Sequence, residues 1–226
     1  MKVILCAAAF ALCLATQAMA VINLQITEIW MGQAGSDVTL DWFEITNLGD
    51  SAWVNGVDSP IFANDSAGDI LTTSAEVFGI SNILPNESVM VLMEGDAADK
   101  QLFFDAWNPV LPQTLSNIGY CDGPSLGLGQ PADGVRIAIG GVLLDSENYT
   151  GSGVLNNGQS WDVALGAYSL PGNGSGAAAT LVLGGDDLDA PAIGSPGGVA
   201  GVPNVPEPSS LAIVGLAMLG LAGRRR

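Results

Sequence analysis

The sequence predicts an all-β protein built as an antiparallel β-sandwich, for three reasons. Apolar and polar residues alternate with period two in short segments such as 22–27 and 135–139, which is typical of strands with one buried face. The 30 glycines and 12 prolines break the chain too often for long helices. Only residues 96–107 have a helical spacing, which is expected to place three apolar side chains on one face: Leu102, Phe103 and Ala106. Short strands, frequent turns and one small helix together favour two packed sheets.

The first two predicted strands differ in their patterns. Residues 22–27 alternate strictly between apolar and polar. In residues 38–45 the apolar phase changes after Trp42, from even to odd positions. An extra residue that turns the other face of a strand inward produces such a change. The sequence therefore predicts a β-bulge near Trp42, followed by a turn at 47–50.

Later segments predict a short strand at 53–57, a buried strand and a hairpin. Residues 89–93 form an unbroken apolar run, as expected of a strand that is covered on both faces. Two apolar segments, 135–139 and 142–144, flank a Gly-Gly pair at 140–141. Strands on either side of Gly-Gly favour a β-hairpin.

The N-terminus has the three parts of a secretory signal peptide. Lys2 is the only charged residue before Glu28, and residues 3–14 are almost wholly apolar. Ala18 and Ala20 then supply the small side chains that a signal peptidase requires. The sequence predicts a signal peptide over residues 1–20, cleaved after Ala20.

The C-terminus has a different three-part arrangement. A proline-rich linker at 199–208 precedes an apolar segment at 209–223, and a basic cluster closes the chain: Arg224, Arg225 and Arg226. A helix of about 15 residues spans only about 22 Å of a hydrocarbon core that is about 30 Å thick. We expect a short transmembrane helix over 209–223, with the basic residues 224–226 as a cytoplasmic tail.

The C-terminal segment resembles the PEP-CTERM sorting signal in the order of its parts and in one tetrapeptide: Val205, Pro206, Glu207 and Pro208. The resemblance implies export across the inner membrane of a Gram-negative bacterium by the secretion machinery. It also implies transient anchoring through the apolar helix and recognition by an exosortase, a membrane protease thought to cut near the Pro-Glu-Pro element. The product is expected at the cell surface or secreted after this processing.

The charge of the exported body, residues 21–205, limits its partners. It contains 22 acidic residues and only two basic residues, Lys100 and Arg136, which gives a net charge of −20. Nucleic acid and anionic membrane surfaces are disfavoured as direct partners, because both require basic residues to neutralise phosphate. Cations, neutral or basic surfaces and polysaccharides remain, and the alternative is that the charge only keeps the protein soluble.

The histidine and cysteine content limits the chemistry. The chain has no histidine, which excludes Ser-His-Asp and Cys-His nucleophilic sites and most zinc and copper sites. Cys6 and Cys13 leave with the signal peptide, so Cys121 has no partner for an intramolecular disulfide. We expect Cys121 to be a small buried residue, with an intermolecular disulfide as the alternative.

The body also resembles the lamin-tail domain family, in short segments that follow the family's order: 26–29, 41–47, 84–89, 126–128, 134–137, 140–145, 158–161 and 194–198. The sequence departs from the family pattern at Thr27 and Asn86, and residues 58–79 are an insertion without a counterpart. The resemblance implies an immunoglobulin-like β-sandwich over residues 21–198. It further implies a binding or scaffolding module that does not catalyse a reaction.

Glu28 and Glu44 are acidic residues inside otherwise apolar strands. Buried carboxylates must be paired or hydrogen-bonded, so one hypothesis is a cation site or an acid pair, with Arg136 as a charge partner. The alternative, which we favour, is a structural role in hydrogen-bonding backbone groups at the bulge.

The other candidate sites are an acidic loop and two tryptophans. Asp186, Asp187 and Asp189 could supply oxygen ligands to calcium, or form a solvated loop. Trp53 and Trp107 are the candidates for exposed stacking on sugar rings, whereas Trp42 and Trp161 are expected in the core. No cofactor is expected apart from this calcium.

The sequence thus predicts a non-catalytic protein of the cell surface or extracellular matrix that associates with exopolysaccharide, a biofilm or other matrix proteins. The alternatives are a calcium-dependent adhesion module and, third, a carbohydrate-active enzyme.

Overall fold

The computed structural model describes residues 20–32, 39–65, 74–111, 114–123, 126–129, 132–150, 158–169, 177–179 and 192–198. The described residues form mostly β-structure in several sheets, with one helix, α1 (Asp99–Trp107). The strands are β1 (Leu24–Trp30), β2 (Trp42–Asn47), β3 (Trp53–Val54), β4 (Ile61–Asp65), β5 (Ala75–Glu76), β6 (Asn82–Ile83), β7 (Ser88–Met93), β8 (Ile118–Cys121), β9 (Ala132–Ile139), β10 (Val142–Thr150), β11 (Trp161–Asp162), β12 (Ala167–Tyr168), β13 (Ala177–Ala179) and β14 (Ala192–Gly194).

Two larger sheets make up most of the described structure. One has six strands in the order β12-β11-β1-β2-β7-β8, and the other has four in the order β10-β9-β4-β5. The pairs β13-β14 and β3-β6 form two small additional sheets. Strand pairs are antiparallel as predicted, except that β7 and β8 run parallel. Parallel neighbours need a long crossover connection, and here that connection contains α1.

A shared core joins the two larger sheets. Buried residues of both sheets belong to one cluster, which includes from the first sheet Ile26, Phe43, Ile45, Val89 and Val91, and from the second Ile61, Ala63, Val135 and Ile137. Packing apolar faces of two sheets removes both from water, which is the main favourable contribution to folding. The described residues therefore agree with the predicted layered β architecture.

A second apolar cluster covers the opposite face of the six-stranded sheet. Trp30 and Trp42 stack at 6.4 Å between ring centroids, and Trp107 of α1 packs edge-on against Trp42 at 5.8 Å. Met90 and Phe103 lie in the same cluster. The six-stranded sheet is thus covered on both faces where β2 and β7 run.

Because β2 is covered on both faces, the prediction of a bulge near Trp42 was wrong. All six residues of β2 are buried. Its apolar residues therefore change from even to odd positions because both faces of the strand are covered. A bulge in β2 is not needed to explain the pattern. The register shift lies in the partner strand, between Ile26 and Glu28 of β1. The prediction placed the irregularity on the wrong strand of the correct pair.

The hairpin and the helix were predicted more closely. Val142 pairs with Ile139, and the two glycines between them have φ of 58° and 79°, as a two-residue turn of the primed type requires. The helix α1 begins at Asp99, later than the predicted residue 96. Phe103 and Ala106 are buried as expected, but Leu102 is 60% exposed, so the prediction was wrong for that residue.

The segment 58–79, which the lamin-tail comparison leaves as an insertion, contributes to the second sheet. Its strand β4 pairs with β9 on one side and β5 on the other. An interior strand with buried residues Ile61 and Ala63 is a structural part of the domain.

The predicted termini lie outside the described residues. This holds for the signal peptide apart from Ala20, for the linker region 199–208, for the apolar segment 209–223 and for the basic tail 224–226. Among the residues that are described, no helix is both long and apolar enough to cross a membrane.

Candidate functional site

The most unusual group of side chains in the structure is a pair of buried glutamates on adjacent strands. Glu28 of β1 and Glu44 of β2 are register partners, and their exposed fractions are 2% and 0%. The bulge in β1 sets Thr27 and Glu28 against Glu44, because a bulge places two residues opposite one. The same register aligns Trp30 with Trp42, so the apolar cluster lies directly beside the acid pair.

Glu28 receives hydrogen bonds from two serines that are distant in sequence. The Ser160 hydroxyl donates to its Oε1, and the Ser195 backbone N–H donates to the same oxygen at 2.8 Å. The Ser195 hydroxyl donates to Oε2 at 3.0 Å. Ser160 also lies 2.9 Å from the hydroxyl of Ser169. Both carboxyl oxygens of Glu28 therefore have donors.

Glu44 is hydrogen-bonded by a chain of hydroxyls and by a backbone amide. The Thr27 hydroxyl donates to Oε1 at 2.5 Å, and the Gly197 N–H donates to Oε2 at 2.6 Å. The Thr27 hydroxyl lies 2.8 Å from that of Thr46, which lies 2.7 Å from that of Ser88. The hydroxyl chain thus runs across three adjacent strands.

Burial changes the acidity of both groups. Loss of hydration raises the pKa of Glu28 to about 7, and the serine hydrogen bonds only partly oppose this. Burial, followed by the charge of Glu28, raises the pKa of Glu44 to about 8. Because the charge of each carboxyl affects the other, the two titrate as a pair. The pair therefore retains a proton near neutral pH, which lowers the repulsion between them.

Glu28 and Glu44 form the acid pair of the first hypothesis. The favoured role, binding backbone groups at the bulge, was wrong in its location, because the backbone N–H groups that the two carboxyls accept from belong to Ser195 and Gly197. The groups that bind the two carboxyls are hydrogen-bond donors, whose protons point at the oxygens that a cation would need.

Arg136 lies in β9, paired with Asn64 and Ser146 in the other large sheet, so the prediction that it neutralises one of the glutamates was wrong. Within the described ranges no group of three or more acidic, cysteine or histidine side chains could hold a metal ion.

Both tryptophans that were predicted to be exposed are buried. Trp53 is 1% exposed, lies in the core between the sheets and donates its indole N–H to the Ser59 carbonyl at 3.0 Å. Trp107 is fully buried on the inner face of α1. The spacing of residues 103, 106 and 107 marks that face and could have revealed it. The prediction that Trp53 and Trp107 stack on sugar rings was therefore wrong for the folded structure.

Three of the remaining residues singled out in the sequence, Trp42, Trp161 and Cys121, are described by the structure, and the acidic loop is not. Trp42 is buried as predicted, and Trp161 is half-buried against Tyr168, with ring centroids 5.2 Å apart. Cys121 is buried, and burial raises the pKa of its thiol to about 12, which agrees with the expectation of a small buried residue. The acidic loop lies outside the described residues: Asp186, Asp187 and Asp189.

A small open pocket borders the hydrogen-bond network of Glu44. Its volume is about 230 Å³, and Ser88 and Gly197, which both belong to that network, form part of its wall. The other lining residues are Asn86, Glu87, Thr114, Leu115, Ser116 and Asn117. Its lining is mostly polar and includes one carboxylate.

Comparison with known proteins identifies the C-terminal segment. Residues 204–226 match the family described as the PEP-CTERM protein-sorting motif. This match confirms the sorting signal that was predicted around Pro206, Glu207 and Pro208. The motif implies an exosortase-targeted, exported protein and a destination in the cell envelope or at the surface of a Gram-negative bacterium.

The remainder of the chain is not identified by such comparisons. No curated protein and no solved structure matches it, and no family match supports the lamin-tail resemblance.

Proposed function

We propose that this chain is a non-catalytic protein that an exosortase sorts to the cell surface or the extracellular matrix, where it associates with exopolysaccharide, a biofilm or matrix proteins. The observation that carries the proposal is the sorting motif at 204–226. The tail then anchors the protein in the membrane only until it is processed. The body, residues 21–205, carries the function on the far side of the membrane.

The proposal that the body is non-catalytic is supported by the state of its buried glutamate pair. Glycoside hydrolysis uses two carboxyls that reach the substrate from either side of the bond that is cleaved. Glu28 and Glu44 are buried, and Ser195, Gly197 and the neighbouring hydroxyls occupy their oxygens. A substrate cannot reach this pair while the segment that contains Ser195 and Gly197 covers it.

The proposed partner follows from the charge of the body. A net charge of −20 over residues 21–205 disfavours anionic polymers without bridging cations and keeps the body highly soluble. A neutral polysaccharide, a basic matrix protein or a cation-bridged acidic polysaccharide is compatible with that charge. Binding that requires calcium belongs to the alternative proposal, a calcium-dependent adhesion module.

The finer fold assignment, an immunoglobulin-like sandwich of the lamin-tail type, belongs to the same proposal. Three of the segments that resemble the lamin-tail family support this assignment, because they contact one another. Residues 194–198 are hydrogen-bonded to Glu28 in segment 26–29 and to Glu44 in segment 41–47. An experimental structure in which residues 194–198 lie away from those strands would contradict it.

The partner is tested by co-sedimentation of the processed protein, purified from its host, with the host's own exopolysaccharide, in calcium and in a chelator. We expect binding in both conditions. Binding in calcium alone would favour the adhesion module and direct attention to residues 186–189. Absence of binding in both would contradict the polysaccharide proposal and leave matrix proteins as partners.

A further inference from the structure

One short segment contacts both buried glutamates. Residues 192–198, here called the C-terminal strap, consist of β14 and the turn that follows. Ser195 binds Glu28 through its backbone N–H and its hydroxyl, and the Gly197 N–H binds Glu44 at 2.6 Å. The strap is also attached at its start, where Ile193 exchanges backbone hydrogen bonds of 2.7 and 2.8 Å with residues 158 and 160.

The strap lies so close to the pair that it shields the carboxyls from water. A Cβ atom at Gly194 would lie 3.2 Å from both Glu28 Oε1 and the ring of Trp42, so even a methyl group would be tight at this point. Ser195 is 3% exposed. Because burial is the largest cause of the raised pKa values, lifting the strap would return water to the pair and make both groups easier to ionise.

Protons can still reach the pair from solvent. The hydroxyls of Ser88, Thr46 and Thr27 form a chain with steps of 2.7 and 2.8 Å, and the last of them contacts Glu44 at 2.5 Å. Ser88 lines the open pocket described above. A chain of hydroxyls that ends at a pocket lets the buried pair titrate without prior unfolding.

Among the described residues, no positively charged group is a cause of the pKa shift of either carboxyl. Besides each other, the ionisable group that faces them is Asp162 of β11, whose charge raises the pKa of Glu28 further. From the other described elements that pack against the pair, the groups are hydroxyls, backbone amides and apolar rings: Ser88 of β7, Ser160, Ser169, Trp30, Trp42, Ser195 and Gly197.

We propose that Glu28 and Glu44 form a proton-dependent latch that holds the C-terminal strap on the sheet. While the pair retains a proton, the strap stays docked. When both carboxyls are ionised, their repulsion and their need for water favour the open position. Residues 199–203 connect the strap to the sorting motif at 204–226. Opening would add up to about 25 Å of extended chain between the body and that motif.

The latch is tested by hydrogen exchange of the purified full chain, with exchange rates at each pH corrected for their intrinsic pH dependence. We expect protection of the Ser195 and Gly197 amides to fall by about tenfold or more between about pH 5.5 and about pH 8.5, since one unit of pKa corresponds to a factor of ten. Amides of β7 should keep their protection, which separates strap release from global unfolding.

Two matched variants make the test specific. Glu44→Gln keeps an acceptor for the Gly197 N–H but removes the charge, so the strap should stay protected at both pH values. Glu76→Gln removes a charge from β5 in the other large sheet and should behave like the wild type. If Glu44→Gln does not fold, Glu28→Gln and the wild-type pH series provide the same test.

Equal protection of the strap at both pH values in the wild type would overturn the latch. So would a Glu44→Gln variant that retains the full wild-type loss. Neither result would affect the sorting signal, because the exchange measurement does not depend on export.

Discussion

At the scale of single residues, the pKa values of Glu28 and Glu44 link the stability of the protein to pH. Both lie above the 4.5 of an unperturbed glutamate, at about 7 and about 8. The folded chain therefore binds protons more tightly than the unfolded chain between those limits. The stability that the neutral pair contributes is present below pH 4.5, and it is lost as the pH rises through 7 and 8.

We expect the free energy of unfolding to fall by a few kcal/mol, as an order of magnitude, between about pH 5 and about pH 8.5. Glu44→Gln should flatten this dependence, because the amide does not ionise. Urea unfolding at a series of pH values measures this dependence for the wild type and for Glu44→Gln. A stability that rises with pH across this range would contradict the assignment of the proton to the pair.

The residue scale also shows what the sequence could reveal about the site. Glu28 and Glu44 are identifiable as buried acids because each interrupts an apolar strand pattern. Their main partners are not identifiable, since Ser160 and Ser195 lie more than a hundred residues further along the chain. Hydroxyl and backbone donors also carry no sequence signal comparable to that of an arginine.

At the scale of elements, α1 is an amphipathic cover for the six-stranded sheet. Its inner face buries Phe103, Ala106 and Trp107 against Trp30 and Trp42, which explains why apolar side chains occur on both faces of β2 and β7. The helix therefore stabilises the fold and does not present its tryptophan to a ligand.

This role predicts a large difference between two substitutions in the same helix. Trp107→Ala should destabilise the protein by about 3–5 kcal/mol, because it removes a fully buried ring and leaves a cavity. Leu102→Ala should change stability by at most about 0.5 kcal/mol, since that side chain is mostly exposed. Chemical denaturation measures both values. Similar small effects of the two substitutions would contradict the buried position of Trp107.

The elements that could be predicted are those whose partners are close in sequence. The hairpin of β9 and β10 follows from its Gly-Gly turn, and the buried strand β7 follows from its apolar run. The parallel pairing of β7 and β8 depends on a crossover through α1, and the place of β4 inside the second sheet depends on β9, about seventy residues later. Local patterns do not determine such long-range pairings.

At the scale of the whole molecule, a sorting motif lies at the C-terminus, a signal peptide is predicted at the N-terminus, and the acidic residues other than Glu207 lie between them. Val21, the first residue after the predicted signal cleavage, lies with its backbone nitrogen 2.6 Å from the Asp50 carboxylate. Cleavage after Ala20 would turn this nitrogen into an ammonium group, for which a carboxylate is a suitable partner. The observed position therefore fits a mature N-terminus at Val21.

We propose that the exported body is released from its C-terminal sorting tail. The most direct measurement is the intact mass of the protein recovered from the surface or medium of its host, with sequencing of both termini. We predict a chain that begins at Val21, ends near Pro206–Pro208 and lacks residues 209–226. Recovery of the surface protein with Arg224, Arg225 and Arg226 still attached would contradict the claim.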